Sequence, residues 1–312
     1  MKSRELSTER LEGPEIGQPD ERRSGRQPQP GSSPWREALR RLYGNRLAML
    51  GLTVVVGFAL ASVAAPWIAP HAYDQTNLPY GAKPPSWAYP FGTDELGRDL
   101  LTRVLYGARI SFAVGFLATL VSLTIGVSYG SIAGFRGGRV DHLMMRLVDI
   151  LYGLPFMFVV ILLMVLFGRN ILNLFIALGA VQWLTMARIV RGQVLSLRTR
   201  EFVLSAHAMG ASPRRVVVRH LLPNTIGPIV VYATLTVPAI MLEEAFLSFL
   251  GLGVQPPMAS WGSLAAEGAA AMNAYPWLIV FPGLALTLTL LSLNFLGDGL
   301  RDALDPQLRM PR

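Results

Sequence analysis

Residues 110–135 read ISFAVGFLATLVSLTIGVSYGSIAGF and contain no Asp, Glu, Lys or Arg. A helix crosses the hydrocarbon core with about 20 apolar residues. Lipid cannot satisfy exposed backbone groups, so such a stretch is helical where it spans. Working outward, the chain holds five more charge-free stretches of that kind, at 47–73, 150–168, 170–187, 220–242 and 268–297. The core spans are placed at 47–68, 110–134, 149–168, 171–189, 224–247 and 276–296. This predicts an all-α polytopic membrane protein with six transmembrane helices. A further stretch, 245–266, holds Gly251, Gly253, Pro256, Pro257 and Gly262, which break helices. It is read as an external loop, partly re-entrant.

Composition agrees. Of 312 residues, 52% are hydrophobic and 15% are charged, and mean hydropathy is +0.40. The net charge is nevertheless +8. A chain poor in charge and still basic keeps its charges apart from its apolar mass, which argues against a soluble enzyme or a nucleic-acid binder. Cysteine is absent, which excludes disulfides, thiolate metal sites and thiol nucleophiles.

Charge placement sets the expected orientation. With a cytoplasmic N-terminus, 23 of the 28 basic residues lie inside and Lys83, Arg98, Arg103, Arg109 and Arg169 outside. That bias follows the positive-inside rule and puts both termini on the cytoplasmic side. The first span follows some 46 residues and exceeds a signal-peptide core of about 7–15, so it is read as uncleaved. Residues 1–34 are polar and rich in Pro, Gly and Ser, and are expected to be a disordered tail. Residues 35–46, WREALRRLYGNR, read as a basic juxtamembrane helix. Residues 47–312 form the transmembrane domain.

Three further segments carry pattern. In 91–109, FGTDELGRDLLTRVLYGAR, the residues Leu100, Leu101, Val104, Leu105 and Ala108 keep helical spacing, and Arg98, Asp99 and Arg103 fall off that stripe. An interfacial helix leading into the second span is expected. In 139–149, Val140, Leu143, Met144, Leu147 and Val148 make an apolar face opposite Arg139, Asp141, His142, Arg146 and Asp149. His142 is read as a solvated residue. Gly126, Gly130 and Gly134 form a small-residue ridge suited to close helix packing, within this chain or against another.

Catalytic motifs are missing. Neither HExxH nor GxSxG occurs, and neither lysine stands in a P-loop context. The four histidines form no ligand cluster. No catalytic residue, metal site or bound cofactor is expected. Glu243 and Glu244, near the outer end of the fifth span, are the main intramembrane acids, and such groups usually serve function. They are candidates for a translocation path.

The largest inner loop, 190–222, is framed by arginines. Within it, 200–209 reads as a short helix with Phe202, Ala206 and Met209 on one face. Gly210 ends that helix. Ser212 and Pro213 begin a second one as N-cap and first-turn proline. Two short helices around a glycine turn suit insertion into a partner's groove.

This loop resembles the EAA loop of bacterial ABC-importer permeases, roughly EAA-x3-G-x9-I-x-LP. Gly210, Leu222 and Pro223 match at the family's spacing and Ala206 fills the second Ala position. Leu204, Ser205 and His220 depart from the pattern. FGTDELGRDLLTRVLYGAR (91–109), GGRVDHLMMRLVDILYGLP (137–155), LSFLGLGVQPPMASWG (247–262) and NFLGDGLRDALDP (294–306) resemble the dipeptide/oligopeptide permease C-type subunit, over about 35–312. The resemblance implies a permease paired with a similar B-type permease. It also implies two cytoplasmic ABC ATPases that hold the ATP and Mg, and an external substrate-binding protein. Glu201, Phe202, Ala206, Met209, Gly210, Leu222 and Pro223 would then couple to the ATPases. The rival readings are the same architecture with another cargo, such as a nickel chelate, and an ion-coupled secondary transporter.

Overall fold

The computed structural model describes residues 34–304. The tail read as disordered lies outside them up to its last residue, as do Arg309 and Arg312. The helices are α1 (Pro34–Gly44), α2 (Arg46–Ile68), α3 (Leu100–Arg136), α4 (Gly138–Tyr152), α5 (Phe156–Phe167) and α6 (Ile171–Leu197). They continue with α7 (Glu201–Ala208), α8 (Pro213–Val216), α9 (Leu222–Phe249), α10 (Trp261–Ala270) and α11 (Trp277–Leu304). A π-helical turn, Val217–Leu221, joins α8 to α9 without a break. Among the described residues no strand occurs beyond one isolated bridge between Thr93 and Asp99.

Among the described residues, five helical segments are long and apolar enough to cross a membrane, and the bent pair α4–α5 makes a sixth when taken together. The third span was expected as one helix over 149–168. It is instead broken by 83° between α4 and α5. Gly153 caps α4, and Pro155 lacks an N–H and pushes the residue before it out of the helical region.

The face α4 buries also differs from the expected one. Of that face only Val148 is buried, and Met145 turns inward in place of Met144; Val140, Leu143 and Leu147 are exposed, and Asp141 is buried. Asp141 turns in because Arg191 of α6 meets it, with Nη2 donating to Oδ2 at 2.6 Å. A paired carboxylate tolerates burial that a lone one does not.

The segment before the second span is not a separate interfacial helix. Leu100–Arg136 is one helix of 37 residues. Asp99 caps its start by accepting from the N–H groups of Leu101 and Thr102. No proline interrupts it, and Gly107 lies against Leu264 and Trp261 of α10 rather than ending the helix.

The glycine ridge finds its partner within the chain. A Cβ at Gly126 would lie 2.6 Å from Met186 Cβ, and one at Gly134 would lie 2.9 Å from the Arg191 carbonyl. Gly130 abuts the Ala187 carbonyl. Gly179 of α6 answers from the other side against Val121 and the Ala118 carbonyl. Small residues on both helices let α3 and α6 form the most extensive helix pair of the fold.

The stretch read as an external loop, 245–266, is only partly one. Helix α9 runs to Phe249, and α10 begins at Trp261. Ser260 and Ser263 form a reciprocal capping box that starts α10 despite the glycines and prolines nearby. Trp261 is fully buried, donates its indole N–H to the Val104 carbonyl, and meets Phe58 and Phe112 edge-on. At the other end of the bundle, Ala38 and Leu42 of α1 pack with Ala48 of α2 and Leu300, Ala303 and Leu304 of α11.

Candidate functional site

The glycine-turn element sits on one end of the bundle, beside the C-terminal ends of α3 and α6. The first part of the 190–222 segment, up to Leu197, belongs to α6. Beyond it, α7 ends at Ala208 with Met209 as its C-cap, and Gly210 turns the chain with φ +78°. Only glycine adopts that conformation without a Cβ penalty. Ser212 caps α8, its side chain accepting from the Arg215 N–H.

Val203 and Ala206 of α7 pack with Val216, Leu221 and α6 residues Val190 and Val194 in a small core. Ala206 is therefore 2% exposed and faces its own chain, so the partner-facing role expected of it has no surface to act through. Phe202 and Met209 are 40% and 82% exposed. Glu201 and Pro223 are exposed and Leu222 is half-buried. The element is an anchored rod with an apolar tip.

Pro223 explains the π-turn. A proline inside a helix removes one N–H and crowds the carbonyl four residues back. Widening the preceding turn relieves this, and the Leu222 N–H bonds the Val217 carbonyl five residues back. The Asn224 side chain donates to the His220 carbonyl at 2.6 Å.

The two neighbouring acids have separate fates. Glu244 is 1% exposed, and its Oε1 accepts from Ser248 Oγ at 2.8 Å and Ser260 Oγ at 2.7 Å. Gly262 is pressed against it: a Cβ there would lie 2.7 Å from Oε2. Glu244 thus ties α9 to the start of α10 and is enclosed within the chain. Glu243 points the other way, toward α6, where Gln182 Nε2 donates to its Oε1 at 2.7 Å. Its Oε2 is buried without a partner among the described residues.

From Gln182 a polar stripe runs along α6 to Thr185 and Arg188, residues spaced three apart. Helix α4 faces it. Tyr152 Oη lies 3.3 Å from Thr185 Oγ1, and its ring lies under the Arg188 guanidinium at 4.3 Å. Arg188 Nη2 donates to Asp149 Oδ1 at 2.8 Å. Two cavities open on the stripe. One of about 220 Å³ is lined by Tyr152, Gln182 and Thr185 among others. One of about 480 Å³ is lined by His142, Met145, Arg146, Asp149, Arg188 and Arg191. Sequence reading passed over this stripe. Its signal was the spacing of Gln182, Thr185 and Arg188 on one face of an otherwise apolar segment.

The opposite end of the bundle holds an ion cluster. Arg103 is 3% exposed, although the sequence placed it off the buried stripe. Its Nη1 donates to Asp94 Oδ2 and to Glu267 Oε2, each at 2.8 Å. Arg98 Nε reaches the same Asp94 oxygen at 2.7 Å. Asp94 also accepts from the N–H groups of Leu96 and Arg98, so the loop before α3 is locked to α10. Among the described residues, no group of three or more His, Asp or Glu is placed to hold a metal ion.

Residues 126–310 match the model of the binding-protein-dependent transport system inner membrane component, and 33–85 match the N-terminal TM domain of oligopeptide transport permease C. Haemophilus influenzae has an oligopeptide transport system permease protein, OppC, that is 50% identical over 279 residues, covering 89% of this chain and 90% of that protein. The dipeptide transport system permease protein DppC of Bacillus subtilis is 49% identical, covering 90% of this chain and 88% of its own length. The glutathione transport system permease protein GsiD of Escherichia coli is 40% identical, covering 89% and 92%. Among solved structures, an inward-facing form of the MetNI methionine ABC transporter matches with a TM-score of 0.50 at 19% identity, covering 65% of this chain and 96% of that one.

Proposed function

Because the chain belongs to the binding-protein-dependent transport inner membrane components, we propose that it is the C-type permease of an ATP-driven importer of di- and oligopeptides. The observation that carries this is its identity of about one residue in two to peptide permeases over nine-tenths of its length. In this reading the chain pairs with a similar B-type permease in the bacterial inner membrane. Two cytoplasmic ABC ATPases bind ATP and Mg, and an external binding protein delivers the peptide.

The arginine-rich end, with α1, α7, α8 and both termini, is the cytoplasmic one. Phe202, Met209 and the Gly210 turn engage an ATPase, and Glu201, Leu222 and Pro223 shape that contact. Because α8 runs unbroken into α9, a displacement of the rod is passed to a membrane-spanning helix. Glu243 remains a path residue in this reading, whereas Glu244 is structural. The chain itself carries no catalysis.

Reconstituting the full complex in vesicles tests this. Labelled peptide should accumulate only with ATP and the loaded binding protein. Uptake driven by an ion gradient without ATPases would overturn the ABC assignment. Uptake of a nickel chelate instead of peptide would overturn the cargo.

A further inference from the structure

The polar stripe on α6 is out of place on a lipid-facing surface. Polar groups inside a bilayer are expensive and face a water-filled space or another protein, and Gln182 and Thr185 lie within the span that Arg188 closes at its inner end. This stripe is half-buried to exposed within the chain, from Gln182 and Thr185 to Arg188 on α6 and Tyr152, Asp149 and Arg146 on α4. It is also graded in charge. Glu243 with its partnerless Oε2 stands behind the Gln182 end. Arg146, Arg188 and Arg191 stand at the other end and outnumber their carboxylate neighbours Asp141 and Asp149.

From the stripe's geometry we infer that it is the wall along which this subunit passes its cargo. The ligand it fits is a short zwitterionic peptide, its ammonium toward Gln182 and Glu243 and its carboxylate toward Arg188. Six residue steps along the helix lead from Gln182 to Arg188, a rise of about 9 Å. An extended chain covers about 3.3–3.6 Å per residue, so a peptide of three residues bridges the two ends. Tyr152 and Thr185 lie between them and offer hydroxyls to the peptide backbone. Arg188 is held over the Tyr152 ring and against Asp149, so its guanidinium is positioned before cargo arrives. This inference rests on the peptide-permease reading above.

The test uses the natural absence of cysteine from this chain. T185C and, as a control on the apolar exposed side of α5, L162C are placed in the complete transporter, with the other subunits cysteine-free. A membrane-impermeant sulfonated methanethiosulfonate should modify T185C far faster than L162C, and turnover with a saturating tripeptide should slow that modification. R188Q supplies an independent reading in a variant that keeps the helix intact. With the same binding protein, the uptake ratio of a free-carboxylate tripeptide to its C-terminal amide should fall about tenfold, as expected for loss of one charge-assisted hydrogen bond. A complex that carries no peptide at all refutes the function rather than the stripe. A complex that transports normally overturns the stripe if T185C is as inert as L162C, the result of a dry subunit interface. An R188Q ratio equal to that of the unaltered protein overturns it equally.

Discussion

The two ends of this bundle are built from different materials. At one end, Arg103 is clamped between Asp94 and Glu267, and Glu244 accepts from two serines, so the loop before α3, helix α9 and helix α10 form one hydrogen-bonded block. At the other end, α7 and α8 rest on a few aliphatic contacts and turn on a glycine with open space around it. Directional bonds fix geometry, whereas a small aliphatic contact slides at little cost. The difference sets a hydrogen-bonded frame at the first end against an apolar element turned on a glycine at the second.

The seam that joins the ends should be the least tolerant of change. G130L drives a side chain into the α6 backbone and should abolish assembly of folded protein, scored by recovery of monodisperse complex from membranes. Normal recovery would mean that α3 and α6 are not held by close approach. Next comes R103L. Breaking a buried ion pair costs about 3–5 kcal/mol, and the half-exposed Glu267 places this case at the lower end. Thermal unfolding of the purified complex should fall clearly, with the loop before α3 becoming protease-sensitive.

G210V should separate stability from function. Forcing a β-branched residue into the left-handed region costs about 1–2 kcal/mol locally. The melting temperature should therefore fall less than in R103L, while transport is lost. G210N tolerates the same backbone conformation and should retain transport. If G210V destabilised the complex as much as R103L, the contrast between the ends would collapse. Smallest in stability is the F202S/M209S pair, expected within about 0.5 kcal/mol of the parent because both side chains are exposed. Its effect should appear as ATP hydrolysis that no longer responds to loaded binding protein.

Much of this was legible in the sequence. Charge-free length marked the spans because burial in lipid is a one-dimensional property of composition. The Gly210 turn and the Ser212–Pro213 start were legible because capping and turn chemistry are local. The 83° break at Gly153–Pro155 also left its residues in view, but a run of apolar residues on both sides masked it. What stayed hidden depends on distant partners. Asp141 reads as polar and exposed until Arg191, 50 residues away, is brought beside it. Arg103 reads as solvated until Glu267 arrives from α10. Glu243 and Glu244 are neighbours of one type, and only tertiary placement shows that one is a tie and the other faces α6. Ala206 was given to a partner because its helical face was right, but the face beside it held Val203 and drew both inward.

The 12 residues of α5 reach about 18 Å, against a hydrocarbon core of about 30 Å. So short a rod has little tendency to settle in a bilayer by itself. Its C-terminal end is met by Asn173 at the start of α6, which donates to the Phe167 and Gly168 carbonyls, and the α4 arm before the bend is held by Tyr129 of α3, which donates to the Met144 carbonyl. The third crossing is thus tied to the helix that follows it. A crossing of that kind is held by its neighbours α3 and α6 rather than by its own length in lipid.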